Sequence, residues 1–169
     1  MSLVHAYVSI NENTCKEYYS MKNVDHFRTF CHGKKYFSIV DFRSSYYLRR
    51  LSEHAKELLG IVTEDGYFVP QFLNFGYCNA PADASKIIDT ITSGIEGTFG
   101  RIDDALIAFT SIQEHLDTLR RFFGKLKEHN ILVAAEKCQF FQRSVEFMGM
   151  VVDADGVRPQ DLTDRKSVV

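Results

Sequence analysis

Apolar side chains recur every three or four residues in two long stretches of the chain, which predicts two amphipathic helices. The first begins at Asn79, a residue type that caps helices, and has Pro81 in its first turn. Its apolar face is Ile87, Ile88, Ile91 and Ile95. The second spans residues 112–129, ends at Asn130, and carries on one face Leu116, Leu119, Phe122, Phe123 and Leu126. A further helix is predicted for residues 21–31, and residues 44–56 are helical or irregular.

Short β-prone runs bounded by turn residues alternate with these helices and predict strands. The predicted strands are residues 36–42, the hairpin 58–63 and 67–73 around Glu64-Asp65-Gly66, the hairpin 99–109, and residues 131–134, 138–141, 145–148 and 150–153, with a turn at Asp155-Gly156. This order of elements predicts an α+β fold in which helices cover one face of an antiparallel sheet.

Composition narrows the class of protein. The chain has 169 residues, 45% of them hydrophobic, which suits one domain with a true core. Its net charge of −2 gives no overall basic field for binding nucleic acid. The four cysteines form no CxxC pair, which argues against zinc and against a disulfide framework. With no signal peptide and no apolar run near membrane-spanning length, we expect an intracellular protein of the cytoplasm or nucleus.

Two adjacent carboxylates, Asp103 and Asp104, stand between two β-prone runs and predict the tip of a hairpin. Aspartate tolerates the positive φ angles that tight hairpin turns need. Like charges this close raise each other's pKa, and a divalent cation would relieve the repulsion. An ordinary surface turn also explains the pair. A third acid, Asp41, ends an upstream strand and favours the metal interpretation.

Several blocks, in order along the chain, resemble one family. They are Lys35–Tyr46 (K-Y-F-S-x-x-D-L-x-S-G-Y), Phe75–Pro81 (F-G-L-x-N-A-P), Arg101–Asp104 (Y-x-D-D), Glu114–Arg120 (E-H-x-x-H-L-R), Lys137–Phe140 (K-C-x-F), and Val145–Met150 followed by Gly156 (V-x-F-L-G-H…G). Over roughly residues 5–159 the chain is therefore similar to gypsy-type LTR-retrotransposon reverse transcriptases.

The resemblance implies a right-hand polymerase palm with partial fingers, in one domain over residues 1–169. Fingers would comprise about 1–35 and 50–75, and palm about 36–49 and 76–155, with thumb and RNase H absent. The implied activity is RNA-directed DNA polymerisation by two-metal nucleotidyl transfer, with an RNA or DNA template-primer and a dNTP as partners. Further domains of a polyprotein, or another protein, are further expected partners.

The resemblance also assigns residues. Asp41 and Asp103 would bind Mg²⁺ or Mn²⁺ directly, two ions in all, with Asp104 as the third acid and the Phe42 carbonyl as a further ligand. Lys137 would protonate the leaving pyrophosphate, although a lone lysine is also an ordinary solvated charge. The nucleotide would contact Tyr46, Phe75 and Gly76, and the primer-template would contact Arg101, Met148, Gly149 and Met150. Tyr46 is equally explained as a core aromatic, and residues 148–150 as a tight hairpin turn.

Several positions depart from the family pattern. Arg101 replaces an aromatic residue, Val8 replaces an arginine, and the lysine of a K-T-A-F block is lost at Leu58. Binding of the triphosphate would therefore be weakened. Electrostatic contacts to a transferring phosphoryl group usually supply a large part of the rate enhancement. The alternative is a retroelement-derived scaffold with little activity. A basic patch from Lys34 to Arg50 could contact phosphates, although a solvated surface explains these charges equally well. If no thumb covers it, the surface around residues 145–159 is expected to be an apolar patch open to another protein.

Overall fold

The computed structural model describes residues 7–19, 23–43, 49–73 and 75–160. In chain order the elements are α1 (Val8–Glu12), α2 (Val24–Cys31), β1 (Tyr36–Asp41), α3 (Glu53–Leu58), β2 (Ile61–Thr63), β3 (Gly66–Phe68), α4 (Ala80–Thr92), β4 (Thr98–Gly100), β5 (Asp104–Phe109), α5 (Ile112–Glu128), a single 3-10 turn (Ala135–Lys137), β6 (Gln139–Gln142), β7 (Ser144–Phe147), β8 (Met150–Asp153) and β9 (Gly156–Pro159). None of the described helices is both long and apolar enough to cross a bilayer.

The central sheet is antiparallel, with the strand order β4-β5-β1-β6. Alternate side chains of β1 and β5 point to opposite faces, so the two strands supply two cores. On one face Val40 and Ile107 pack against α4 and α5, which confirms the predicted helical layer. On the other face Phe37 and Leu106 pack against α2 and a second antiparallel sheet, β7-β8-β9. The predicted α+β fold is therefore confirmed, with both faces of the central sheet covered.

Three predicted strands differ from the structure. The strand predicted at 58–63 begins only at Ile61, because α3 extends to Leu58. Residues 131–134 form no strand, because the backbone of this segment bonds only briefly to the end of β1: Ala134 N donates to Asp41 O (2.9 Å) and Val133 forms an isolated bridge with Phe42. The strand predicted at 67–73 ends at Phe68, because Pro70 has no N–H with which to continue a ladder.

The apolar patch expected over residues 145–159 is also wrong. Val145, Phe147 and Val152 are buried against the central sheet, since they form the inner face of β7-β8-β9. Exposed apolar side chains lie on a different element, the β2–β3 hairpin, which carries Val62, Tyr67 and Phe68. Burial of the first group leaves the outer face of the small sheet mainly polar.

Asn79 connects the N-terminal segment to α4. Its side chain makes no capping bond to the helix; instead its Oδ1 accepts from Glu17 N (3.0 Å) and its Nδ2 donates to Cys15 O (3.0 Å). Asn11 acts in the same way, donating to Gly76 O and accepting from Cys78 N. These bonds join segments more than sixty residues apart in the chain.

Asn79→Ala is expected to lower the free energy of unfolding by about 1–2 kcal/mol, because two hydrogen bonds are lost. Asn79→Asp separates the two possible roles. An aspartate caps a helix as well as an asparagine does, but it cannot donate to Cys15 O. We expect Asn79→Asp to lose at least half as much stability as Asn79→Ala in urea unfolding; wild-type stability would instead support the capping role.

Gly97 and Gly94 form a matched pair, because both have a φ of +75°. A Cβ on Gly97 would lie 2.0 Å from Cε2 of the buried Phe109 ring, whereas a Cβ on Gly94 meets no atom within 4 Å. Gly94→Ala should therefore lower the free energy of unfolding by about 1–2 kcal/mol, through backbone strain alone. Gly97→Ala should be less stable than Gly94→Ala by a further 1–3 kcal/mol, roughly the cost of overpacking. Equal losses in chemical denaturation would contradict this assignment.

Candidate active site

The three predicted acids lie together at one end of the central sheet. Asp41 ends β1, Asp104 begins β5, and the two are directly opposite in the antiparallel register. Directly opposed residues have Cα atoms about 4.5–5.5 Å apart and side chains on the same face. Asp103 lies in the turn before β5, where its carbonyl accepts from Phe42 N (2.8 Å). The tip of the hairpin is thereby fixed to the end of β1.

The alternation of side chains decides which face carries the acids. Asp41 lies two residues after Ile39, and Asp104 two residues before Leu106, so both carboxylates share the face that α2 and β7-β8-β9 cover. Ile39 and Leu106 are buried under that layer, whereas the two acids are half-buried and Asp103 is exposed. The carboxylates therefore lie where the covering layer ends and solvent has access.

The hairpin turn differs from the sequence prediction in its backbone. Arg101 N donates to Asp104 O (2.8 Å), and none of the four residues from Arg101 to Asp104 has a positive φ. The positive φ that we expected of an aspartate here is wrong. The hydrogen bond between Phe42 N and Asp103 O holds the tip from outside, so the turn does not rely on a left-handed residue for its shape.

Asp104 is the electrostatically strained member of the group. The pKa of its carboxyl is raised to about 6: burial has the largest effect, the charge of Asp103 also raises the pKa, Arg101 lowers it, and Asp41 adds a smaller upward effect. At neutral pH the site therefore holds a half-buried carboxylate that a nearby positive charge would stabilise.

Lys137 reaches the same group from the other side of β1. Its Nζ lies 3.7 Å from Asp41 Oδ1, and its side chain is largely exposed.

A buried polar pair secures the neighbouring strand β6: the Ser38 hydroxyl lies 2.7 Å from His115 Nε2 and accepts from Phe141 N. Burial lowers the pKa of His115, so the ring is neutral at physiological pH.

The predicted primer-template residues lie beside the hairpin. Met148 and Gly149 form the two-residue turn between β7 and β8, and their φ angles of 56° and 72° are those of a type I′ turn. Met150 then begins β8. A small cleft of about 50 Å³ separates this turn from Arg101, and its lining is Tyr19, Ser85, Asp89, Phe99, Gly100, Arg101 and Met148.

Sequence reasoning missed Tyr19 and Asp89 in that cleft. The Tyr19 hydroxyl donates to Asp89 Oδ2 (2.6 Å), which raises the pKa of Tyr19 to about 12. The two residues are seventy positions apart, and no motif or periodicity joins them. Only the docking of the N-terminal segment on α4 brings them together.

Two of the three predicted nucleotide residues, Phe75 and Gly76, lie within the described chain. Phe75 is half-buried and Gly76 is exposed in the loop before α4, where Asn11 holds the Gly76 carbonyl. Tyr46 lies outside the described residues. Of the expected basic patch, Lys34 and Lys35 precede β1, whereas Arg43 follows it at the acid end of the strand.

The donor chemistry of the acid group fits a hard divalent cation. Three carboxylates and the nearby Phe42 carbonyl are oxygen ligands of the kind that Mg²⁺ and Mn²⁺ prefer. Across the described ranges, no three or more His, Cys, Asp or Glu side chains converge closely enough to hold an ion as they stand. Mg²⁺ commonly binds through one or two carboxylates together with water and substrate phosphates, which suits an open row of acids.

Solved structures of other proteins share this fold. The foamy viral protease-reverse transcriptase dRH in complex with ds DNA superimposes with a TM-score of 0.88 at 19% identity, covering 98% of this chain and 30% of that one. The foamy viral enzyme in complex with RNA/DNA hybrid gives 0.86 at 20% identity, over 95% of this chain and 22% of that one.

Sequence comparison identifies the family. The family model described as reverse transcriptase (RNA-dependent DNA polymerase) matches residues 6–152, so the chain belongs to the reverse transcriptase family. An uncharacterized protein of Caenorhabditis elegans is 40% identical over 123 residues, 73% of this chain and 10% of that protein. The retrovirus-related Pol polyprotein from transposon 412 of Drosophila melanogaster is 29% identical over 161 residues, 94% of this chain and 13% of the polyprotein. The chain thus spans only a small part of these relatives.

Asp104→Asn is expected to stabilise the metal-free protein. A carboxyl whose folded pKa of about 6 exceeds its unfolded value of 3.8 binds more protons when folded, so its destabilising effect is absent below the unfolded pKa and complete above the folded one. We expect a gain of about 1–2 kcal/mol near pH 8 in EDTA, and almost none near pH 4.

Thermal and urea unfolding at both pH values would measure this gain. Asp65→Asn is the matched control, because Asp65 is an exposed acid in the β2–β3 turn. A loss of stability in Asp104→Asn near pH 8 would show that the carboxylate makes a net favourable interaction in the fold.

Proposed function

We propose that this reverse transcriptase domain transfers dNTPs to a primer 3′ hydroxyl, with Asp41, Asp103 and Asp104 as its catalytic acids. The observation that carries the proposal is the register that sets Asp41 opposite Asp104, with Asp103 tied to the end of β1. Asp41, Asp103 and the Phe42 carbonyl would hold two Mg²⁺ or Mn²⁺ ions. When bound, such ions stabilise charge on the attacking and leaving oxygens.

Lys137 is proposed as the residue that gives a proton to the leaving pyrophosphate. Its position supports this role, since Nζ lies 3.7 Å from Asp41 Oδ1 on an exposed side chain that can turn towards a phosphate. The proton would pass from the Lys137 ammonium to the pyrophosphate oxygen that leaves the α-phosphorus, which avoids the release of a fully charged leaving group.

Substrate contacts are proposed on both sides of the acids. Tyr46, Phe75 and Gly76 would form the nucleotide side. Arg101, Met148, Gly149 and Met150 would form the primer side, and the cleft shared by Arg101 and Met148 supports that grouping. A template-primer of RNA or DNA is the proposed partner, supported by foamy viral relatives solved with ds DNA and with RNA/DNA hybrid.

The finer identity of the domain is also a proposal. We infer a gypsy-type LTR-retrotransposon origin, supported by the ordered sequence blocks and by transposon Pol polyproteins among its relatives. The fingers would comprise about residues 1–35 and 50–75, and the palm about 36–49 and 76–155. Further polyprotein domains are expected partners, and the proposed location is intracellular.

The scaffold alternative is less favoured. It draws on the altered substrate residues, above all Arg101 and Leu58. Against it stands the arrangement of the acids: a scaffold gains nothing from a half-buried Asp104 whose pKa is raised by burial and by two neighbouring carboxylates. Such strain is typical of functional sites.

Asp103→Asn is expected to abolish primer extension on RNA and DNA templates, in Mg²⁺ and in Mn²⁺, with a loss of at least about hundredfold. The variant keeps the side-chain shape and removes the charge that would bind the metal. Asp155→Asn, an exposed acid in the β8–β9 turn, is the control and should retain activity. Extension that survives in Asp103→Asn would refute the metal assignment, and no extension by the wild type would favour the scaffold.

A further inference from the structure

Four charged residues form a row across the end of the central sheet. Asp104 is opposite Asp41 in the β1–β5 register, and Arg101 is opposite Asp104 across the hairpin, where its N–H donates to Asp104 O (2.8 Å). Residues directly opposite in an antiparallel pair direct their side chains to the same face. Lys137 completes the row at Asp41. The order across the sheet is therefore cation, carboxylate, carboxylate, cation.

Arg101 is the unexpected member of this row. The resembled family has an aromatic residue at this position, so the chain carries one additional positive charge next to its acids. The Arg101 side chain is exposed and lies beside the cleft that contains Asp89, which already accepts a hydrogen bond from the Tyr19 hydroxyl. The guanidinium therefore lies at the border between the acid row and the primer side.

The charges of the row and the turn almost cancel. Asp41, Asp103 and Asp104 contribute three negative charges, and Arg101 and Lys137 contribute two positive ones. A free divalent cation that enters this site is repelled by Arg101. A complex of a divalent cation with a triphosphate has the opposite net charge and is attracted by it.

We propose that Arg101 determines which form of the metal the site accepts: it weakens the binding of free divalent cations and strengthens the binding of cations that arrive with a nucleoside triphosphate. The inference rests on the proposed function, because it requires Asp41, Asp103 and Asp104 to be the metal ligands. Arg101 thus acts as a specificity-determining residue through its charge.

Coulomb's law sets the expected size of the effect. A unit charge about one strand spacing from a divalent ion, with partial screening by water and salt, changes its affinity about three- to tenfold. The sign reverses for a metal-triphosphate complex. The two effects in opposite directions distinguish electrostatics from a general disturbance of the site, which would weaken both.

The test measures Mn²⁺ binding by electron paramagnetic resonance, without any measurement of activity. Arg101→Met should bind free Mn²⁺ about three- to tenfold more tightly than the wild type and bind Mn²⁺-dTTP more weakly by a similar factor. Arg101→Lys should match the wild type. The gain in Arg101→Met should shrink at about 0.5 M KCl, because salt screens exposed charges.

Arg143→Met is the matched charge control. Arg143 is exposed and stacks over the Tyr36 ring at the far end of β1, about 17 Å of strand from Asp41. It should leave both affinities unchanged. Unchanged or weaker binding of free Mn²⁺ by Arg101→Met would overturn the inference. Mn²⁺ binding that is insensitive to Asp103→Asn would instead overturn the proposed metal site, so the two failures are distinguishable.

Discussion

The antiparallel register between β1 and β5 determines where almost every other part of the structure lies. It pairs Tyr36 with Phe109 at one end and Asp41 with Asp104 at the other. Because side chains alternate along each strand, a slip of one residue between the two strands would end the pairing of the two acids on one face. The same slip would disturb both cores, since Val40 and Leu106 belong to opposite layers. The register that packs the two cores is therefore also the register that assembles the site.

The two covering layers explain why the acids remain accessible. Helices α4 and α5 seal one face with large side chains such as Phe122. The layer of α2 and β7-β8-β9 seals the other and ends near the turn at Met148 and Gly149, which faces Arg101 across the cleft. Because this layer is short, the last residue of β1 and the first residue of β5 lie at its solvent-exposed edge. The half-buried acids at these two positions are therefore accessible to a substrate.

Local patterns in the sequence predicted what depends on local physics. The helical spacing of Leu119, Phe122 and Leu126 predicted α5, and the acids between two β-prone runs predicted the hairpin tip. The role of Asn79 could not be predicted in this way. Its position suits a helix cap, but the side chain bonds to a segment sixty residues earlier, and only the folded chain brings that segment close. The apolar run before Ala135 forms no strand for a similar reason. Only the end of β1 is available to pair with it, and a single bridge between Phe42 and Val133 results.

The row of charges shows how a fold and a site can place opposite demands on one residue. Asp104 begins a buried strand, so its carboxylate is held partly out of water, and its two acidic neighbours add repulsion. The fold alone would be better served by a neutral side chain there. The site keeps the acid and has two exposed cations nearby, Arg101 beside Asp104 and Lys137 beside Asp41. Exposed cations screen the acids only weakly, because water competes with them, and they leave the carboxylates open to a stronger ligand. Exposed counter-charges of this kind allow the chain to keep a strained group of acids without closing the site that the acids form.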